Sequence, residues 1–376
     1  MSEDSELRIG IMLRTLDEKG GIGVYSRYLT AELLALDGRN EYVLYYRSRA
    51  HLGRFSQHAN ATERLLTGSS TLVWDQISVP RACRRDGIDM LLHPKFTVPL
   101  LAGCKTAMVL HGAGWFIPDH AKFWSAWDRA YINAVMPLYC RKAAVILSVS
   151  QLTTSIYARR FRLREGKVQT VYFAPGKQFR RITDRATLQD VARRYSLPDR
   201  FVLTLSKYPG GDRKNIGGIL KAFALFHGRT AHKLVVGGKD CDRFRQDYCV
   251  PAAGYGRDIV FPGHIAQEDL PAVYSLADLF LYPSNMEAFP IPLTEAMACG
   301  TPIVTSDQNG LQEIAGDAAL RVDAKSPEAI ADAVYRVLAD ADLRADLSRK
   351  GLARSLDFSW ERCARETLRI LEAVGQ

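Results

Sequence analysis

Two glutamates stand where proline, glycine and apolar residues force sharp turns, and they are the side chains of this sequence best placed for chemistry. Glu287 and Glu295 lie in Glu287-Ala288-Phe289-Pro290-Ile291-Pro292-Leu293-Thr294-Glu295-Ala296-Met297-Ala298-Cys299-Gly300-Thr301-Pro302, closely preceded by the apolar run Leu279-Phe280-Leu281-Tyr282-Pro283. The pattern predicts a buried strand, a proline-stiffened loop, a helix starting just after Pro292 and stopped by Gly300 and Pro302, then a strand at Ile303-Val304. A helix N-terminus attracts phosphate, but a carboxylate there would repel it. Glu295, expected in the first helical turn, is therefore suited to accept hydroxyls, and the paired hydroxyls of a ribose fit. First-turn glutamates are also common because the macrodipole favours them, so neither glutamate alone decides between binding and structure.

Other candidates sit at strand ends. Lys207 and Lys214 flank the glycine loop Ser206-Lys207-Tyr208-Pro209-Gly210-Gly211-Asp212-Arg213-Lys214-Asn215, between the strand Phe201–Leu205 and a helix. Two cations near a helix start suit the negative charge on a departing diphosphate. His111 ends the apolar run from Thr106, at the carboxyl tip where open α/β sheets place ligands. Gly20-Gly21-Ile22-Gly23 follows a first strand, Leu7–Leu13, and opens a helix whose Tyr25, Tyr28, Leu29, Leu33 and Leu36 share a face. Its glycines lack dinucleotide or Walker spacing, so taken alone a structural turn is the readier reading. His93 and Lys95, after the strand at Asp89–Leu92, are expected as solvated loop residues that could touch an acceptor.

The order and spacing of Glu287, Phe289, Pro292, Glu295 and Ala296-Met297-Ala298-Cys299-Gly300 resemble the nucleotide-sugar motif of the retaining GT-B glycosyltransferases of family GT4. The resemblance spans nearly the whole chain, strongest from Phe201 to Asp323. It implies an α/β GT-B fold, with two Rossmann-like domains facing across a cleft and a C-terminal helix, opened by Phe358-Ser359-Trp360-Glu361, crossing back to the first domain. The domains implied are an acceptor-side domain at 1–178, a nucleotide-sugar domain at 179–357 and the returning helix at 358–376.

Carried over by position, Glu295 holds the ribose, and Glu287, His111 and Lys214 are the catalytic set. Gly20, Gly21, Lys207, Lys214, Gly263, His264, Ile265, Phe289, Pro290 and Ile291 join Glu295 in donor binding, with backbone at 263–265 beside the base. Departures from the family pattern are Gly112 after His111, Ala288 and Pro290 for glycines that let backbone approach the donor, and Ser206-Lys207 for Gly-Arg. Lysine lacks arginine's planar fork, so Lys207 is expected to grip phosphate less directionally. The stretch from Trp74 through His111 to Ser150 looks most like bacterial mannosyl and rhamnosyl transferases of polysaccharide assembly. GDP-mannose is therefore the first expectation for the donor, other GDP-, UDP- or dTDP-hexoses remain open, and the acceptor expected is a glycan or lipid-linked glycan.

Three rival chemistries fit less well. Asp240-Cys241-Asp242 and Asp340-Ala341-Asp342 have spacing for a metal–diphosphate clamp, but lysines already supply neutralisation, so no metal or other cofactor is expected. Hydrolysis of a glycoside by Glu287 and Glu295 sits badly with phosphate-type helix starts. A Rossmann oxidoreductase would need Gly-x-Gly-x-x-Gly after a strand. A nucleotide-sugar-binding protein without catalysis is the non-enzyme alternative.

The elements that carry these residues repeat as strand and helix twice over. A length of 376 residues suits two domains. Tyr42–Tyr46 reads as a second strand, Leu72-Val73-Trp74 as a third, and Val79–Arg85 as helix. Ala143–Val149, Val168–Phe173, Leu234–Gly238 and Ile259–Ile265 are further strands. The +9 net charge is uneven: residues 1–181 hold 26 Lys and Arg against 15 Asp and Glu, or +11, and the remainder 24 against 26, or −2. Such a half could meet an anionic membrane or acceptor, whereas nucleic acid is disfavoured because no recognised module is present. Aromatic residues from Trp115 to Tyr139, and Arg159, Arg160, Arg162 and Arg164, read either as core and solvated face or as a membrane-facing surface. No apolar run of 18 residues occurs, and Ser2-Glu3-Asp4-Ser5-Glu6 is wrong for a signal peptide. The expected location is the cytoplasm, with peripheral contact at the inner membrane face. Seven scattered cysteines without metal spacing suit reduced thiols.

Overall fold

Strand burial explains the architecture. In a computed structural model, most strands of the chain are covered on both faces, the condition under which all-parallel sheets occur. The structure describes residues 6–18, 20–118, 124–210, 213–248 and 254–375, with the side chain of Asn309 excepted. The acidic start at 2–5, Phe123 of the aromatic stretch, Gly211 and Asp212 of the glycine loop and Cys249 lie outside these. The chain divides into two compact units, 1–173 with 359–376, and 174–358.

Unit 1 holds seven parallel strands: β1 (Arg8–Met12), β2 (Glu41–Tyr46), β3 (Ala61–Leu65), β4 (Met90–His93), β5 (Lys105–Leu110), β6 (Val145–Ser148) and β7 (Val168–Thr170). Their order is β3-β2-β1-β4-β5-β6-β7, so the direction of winding reverses between β1 and β4. The helix Gly21–Leu36 buries Tyr25, Leu29 and Leu33, while Leu36 faces out. The C-terminal helix Trp360–Gly375 belongs to this unit: Trp360 stacks on Tyr28 at 5.1 Å and meets Tyr25 and Phe173 edge-on or tilted.

Two expectations fail here. Leu72-Val73-Trp74 is helical, because Ser70 accepts a bond from Val73 N and caps the turn, and Trp74 is fully buried with its indole N–H on the Leu66 carbonyl. The third strand is instead the polar edge strand Ala-Thr-Glu-Arg-Leu at 61–65.

Unit 2 repeats the plan with β8 (Phe201–Leu205), β9 (Lys233–Gly237), β10 (Ile259–Val260), β11 (Leu279–Tyr282), β12 (Ile303–Ser306) and β13 (Leu320–Val322), in the order β10-β9-β8-β11-β12-β13. Winding reverses between β8 and β11, and ligands of open α/β sheets bind beyond the carboxyl ends of strands at such a point. β10 is shorter than expected: 261–265 is loop, held by Gly238 N donating to Gly263 O at 2.9 Å.

Candidate functional site

The loops after β8 and β11 are tied together at the switch point of unit 2. Ser284 Oγ donates to Arg213 O at 2.8 Å, and Asn285 N donates to the same carbonyl at 3.0 Å. Asn215, in the left-handed region at φ 58°, donates through its amide to Pro283 O and Ala324 O. Sequence distance across this seam is about 70 residues, so only the fold brings the two loops together.

Glu287 is the centre of the seam. Its Oε1 accepts from Arg213 at 2.9 Å, Tyr282 OH at 3.0 Å, Ser284 Oγ at 3.3 Å and Lys214. Lys214 also bonds the Tyr282 hydroxyl, and burial lowers its pKa although the Glu287 charge opposes that. Arg213 and exposed Lys207 add further positive potential at Lys214. A buried carboxylate thus collects two cations, close to where strand and helix ends converge. The backbone around it needs glycine: a Cβ on Gly310 would lie 2.2 Å from Ala288 O, and Gly310 N donates to Glu287 O at 3.0 Å.

Glu295 lies elsewhere on its helix than expected. The helix runs Ile291–Ala298, with Pro292 in its first turn, where a missing N–H costs no bond. Glu295 is therefore in the second turn and not at the N-terminus. It is buried, with Oε2 accepting from Tyr274 OH at 3.0 Å; burial lifts its carboxyl to about 7, opposed by bonds from Tyr274 and Gln267 and by the Lys214 charge. Phe289 packs edge-on against Phe358, Pro290 is the N-cap, and Ile291 begins the helix. Past β10, Gly263 adopts φ 79°, His264 is exposed and Ile265 is buried. Gly238, whose Cβ would meet Ser206 O at 2.1 Å, keeps this strand end close to β8.

Gly20, Gly21 and His111 lie in unit 1, at the carboxyl ends of its strands. Gly20 is the N-cap of the helix that Gly21 begins. Tyr25 from that helix meets His111 edge-on at 4.8 Å. His111 Nε2 donates to Pro94 O at 2.9 Å, which leaves Nδ1 as an acceptor, and burial pushes its pKa down to about 4. The ring is neutral at physiological pH. His93 is fully buried rather than solvated, its Nδ1 2.9 Å from Thr97 Oγ1, because it completes β4 under a polar layer. In that layer Arg14 forks onto Asp75 at 2.7 and 2.9 Å, and Lys95 pairs with Glu18 at 2.7 Å.

The structure therefore joins Glu287, Lys214 and, through charge, Lys207 and Glu295 in unit 2; in unit 1 His111 meets Tyr25 of the helix that Gly20 caps and Gly21 begins. Sequence reasoning missed Arg213, Tyr282, Tyr274 and the Arg14–Asp75 pair. Tyr282 had one available signal, a polar tip on the last residue of an otherwise apolar strand. Asp340, considered for metal, caps the helix Ala341–Ser355 by accepting from Leu343 N at 3.0 Å. Among the described residues no cluster of three metal-ligating side chains occurs.

Residues 197–354 match the sequence family described as glycosyl transferases group 1. The chain is 35% identical over 161 residues to the O-antigen chain mannosyltransferase B of Escherichia coli, a match covering 42% of each sequence. The matched stretch spans less than half the length of the curated relatives. Among solved structures, a glycosyltransferase from Rickettsia africae superposes with a TM-score of 0.77 at 13% identity, covering 98% of this chain and 99% of that one. Anabaena HepE in complex with UDP-glucose gives 0.75 at 15% identity, covering 98% and 100%. The second unit of this chain carries a glycosyl transferases group 1 domain, and the whole has the two-domain α/β fold of GT-B glycosyltransferases.

Proposed function

We propose that the protein is a retaining, metal-independent glycosyltransferase that moves a hexose from a nucleotide sugar to a hydroxyl of a glycan or lipid-linked glycan, at the cytoplasmic face of a membrane in surface-polysaccharide synthesis. Mannose from GDP-mannose is the first choice, since the relative in Escherichia coli is a mannosyltransferase; other GDP-, UDP- or dTDP-hexoses are the alternatives. The observation that carries the reading is the convergence of Arg213 and Lys214 on Glu287 at the switch point of the unit 2 sheet.

In this reading the donor diphosphate lies against Lys207, Arg213 and Lys214, whose charge stabilises it as it leaves. The bond from the anomeric carbon to the diphosphate oxygen breaks as the acceptor oxygen bonds on the same face. The acceptor proton passes to that diphosphate oxygen, so no protein nucleophile takes part. Glu287 holds the cations in register and faces the sugar; Glu295, when ionised, accepts the ribose hydroxyls. His111, neutral, offers Nδ1 to a sugar hydroxyl.

A thermal-shift screen of nucleotide sugars tests this, because a ligand at about 100 times its Kd stabilises by about 2.7 kcal/mol. Stabilisation by one donor, with transfer or donor hydrolysis abolished in Glu287→Ala, is expected. Turnover that stops in chelator would refute metal independence, and donor binding without any turnover would leave a binding protein.

A further inference from the structure

One face of unit 1 is apolar at its centre and cationic around it. Residues opposite each other in a parallel pair point to the same side, so Leu91 and His93 of β4 share a face with Met108 and Leu110 of β5 and Ile146 of β6. The helical segments 71–85, Ala126–Lys142 and Gln151–Arg160 all cover that face. Trp74 and Val79 pack with Leu91, and Met136 and Tyr157 pack with Met108 and Ile146. Their outer sides adjoin. Gln76 bonds Val98 O and Leu100 N, Lys142 Nζ donates to Ala102 O at 2.6 Å, and Arg160 donates to Asn133 Oδ1 at 2.7 Å.

This surface should be polar, yet it is where apolar side chains are exposed. Trp127, Tyr131 and Leu138 lie at helical spacing on one stripe and are 86%, 50% and 46% exposed. Leu100 and Leu101 on the adjoining loop are 38% and 68% exposed, and Leu72 and Ile77 continue the patch. Among the described residues, seven of the twelve large exposed hydrophobic side chains fall in these three adjoining segments, so their exposure is not scattered. Exposed charges on these elements and on the loop after Arg160 are Arg81, Arg84, Arg141, Arg159, Arg160, Arg162 and Arg164, with Arg129 on the far side of its helix, against Asp128 and Glu165, since Asp75 is buried on Arg14 and Asp86 is tied to Arg85.

We propose that this face docks on an anionic lipid bilayer, with Trp127, Tyr131, Leu101 and Leu138 entering the headgroup layer and the arginines contacting lipid phosphates. Aromatic rings with polar tips favour that depth, and arginines around an apolar stripe fit a negative surface. No helix among the described residues is long and apolar enough to cross a membrane, so the contact is with the surface. The inference deepens the membrane placement proposed above, and its test does not depend on transfer.

Vesicle flotation of the full chain provides the test, with vesicles of phosphatidylcholine alone and of phosphatidylcholine and phosphatidylglycerol in equal parts. Wild type is expected to float with the anionic vesicles only, with a blue shift in tryptophan emission. Arg141→Gln/Arg159→Gln should lower partitioning about 30-fold, and Trp127→Ser/Leu101→Ser about tenfold or more, both with unchanged melting temperatures and unchanged nucleotide binding. Wild type left unbound, or variants that bind as well as wild type, would overturn the proposal. So would a dimer of wild type that Trp127→Ser/Leu101→Ser dissociates, which would assign the face to self-association.

Discussion

Replacing Glu295 with glutamine removes a titration that the fold has displaced. Burial lifts this carboxyl from the ordinary 4.5 to about 7, while the Tyr274 hydroxyl at 3.0 Å, Gln267 and the Lys214 charge only moderate the rise. The unfolded chain titrates at the ordinary value. Between these limits the folded state binds more protons than the unfolded one, so stability falls as pH rises. The contribution is fully present below 4.5 and is lost as pH passes about 7. The rise is worth roughly 3 kcal/mol, at about 1.4 kcal/mol for each unit of pKa.

Urea denaturation across this range separates the effect from other groups when wild type and Glu295→Gln are compared. The two should agree at about pH 4, and the variant should be more stable by up to ~3 kcal/mol at about pH 8. Tyr274 can still donate to the glutamine carbonyl oxygen, so packing is kept. If the ionised carboxylate holds ribose hydroxyls, nucleotide affinity of wild type should fall up to about tenfold for each pH unit below 7, and that dependence should vanish in the variant. Parallel stability curves for the two proteins would mean that the Glu295 carboxyl is not raised in the folded state.

Glu287→Ala leaves Lys214 buried beside Arg213 without their carboxylate and should cost about 3–5 kcal/mol in urea denaturation; Glu287→Leu/Lys214→Met should recover most of that without recovering donor binding. Gly310→Ala should destabilise by about 1–3 kcal/mol and reduce turnover, because its Cβ meets the Ala288 carbonyl, a backbone atom that moves only with the Glu287 loop. Since His111 titrates near 4, the pH profile of turnover should show no inflection from it between about pH 6 and 8. His111→Gln, which can donate to Pro94 O, should retain a higher kcat/KM than His111→Leu.

Much of this arrangement is legible in the residue order. Proline and glycine around 283–302 delimit strand, loop and helix, and the apolar strands of both units run long enough to be read as buried. The helix starts two residues before the expected position because Pro292 looks like a boundary, whereas a proline inside the first turn breaks no bond. Ala61–Leu65 escaped notice since an edge strand with one polar face has no apolar run, and Leu72-Val73-Trp74 misled because three apolar residues fit either period. Arg213 could not be found that way, since it reaches Glu287 from a loop that only tertiary folding brings close, whereas Tyr282 reaches it from the strand end five residues before. The apolar face of unit 1 was half legible, for the aromatic stretch contributes both Met136 and Tyr139 to the core and Trp127 and Tyr131 to the surface.

In the proposed function the nucleotide diphosphate sits where the loops after β8 and β11 meet. Hydrogen–deuterium exchange read by mass spectrometry, with and without GDP and UDP, addresses it most directly. Slowed exchange in 206–215 and 283–298 on adding the nucleotide that binds is the result expected; protection confined to other segments, with these two unchanged, would contradict it.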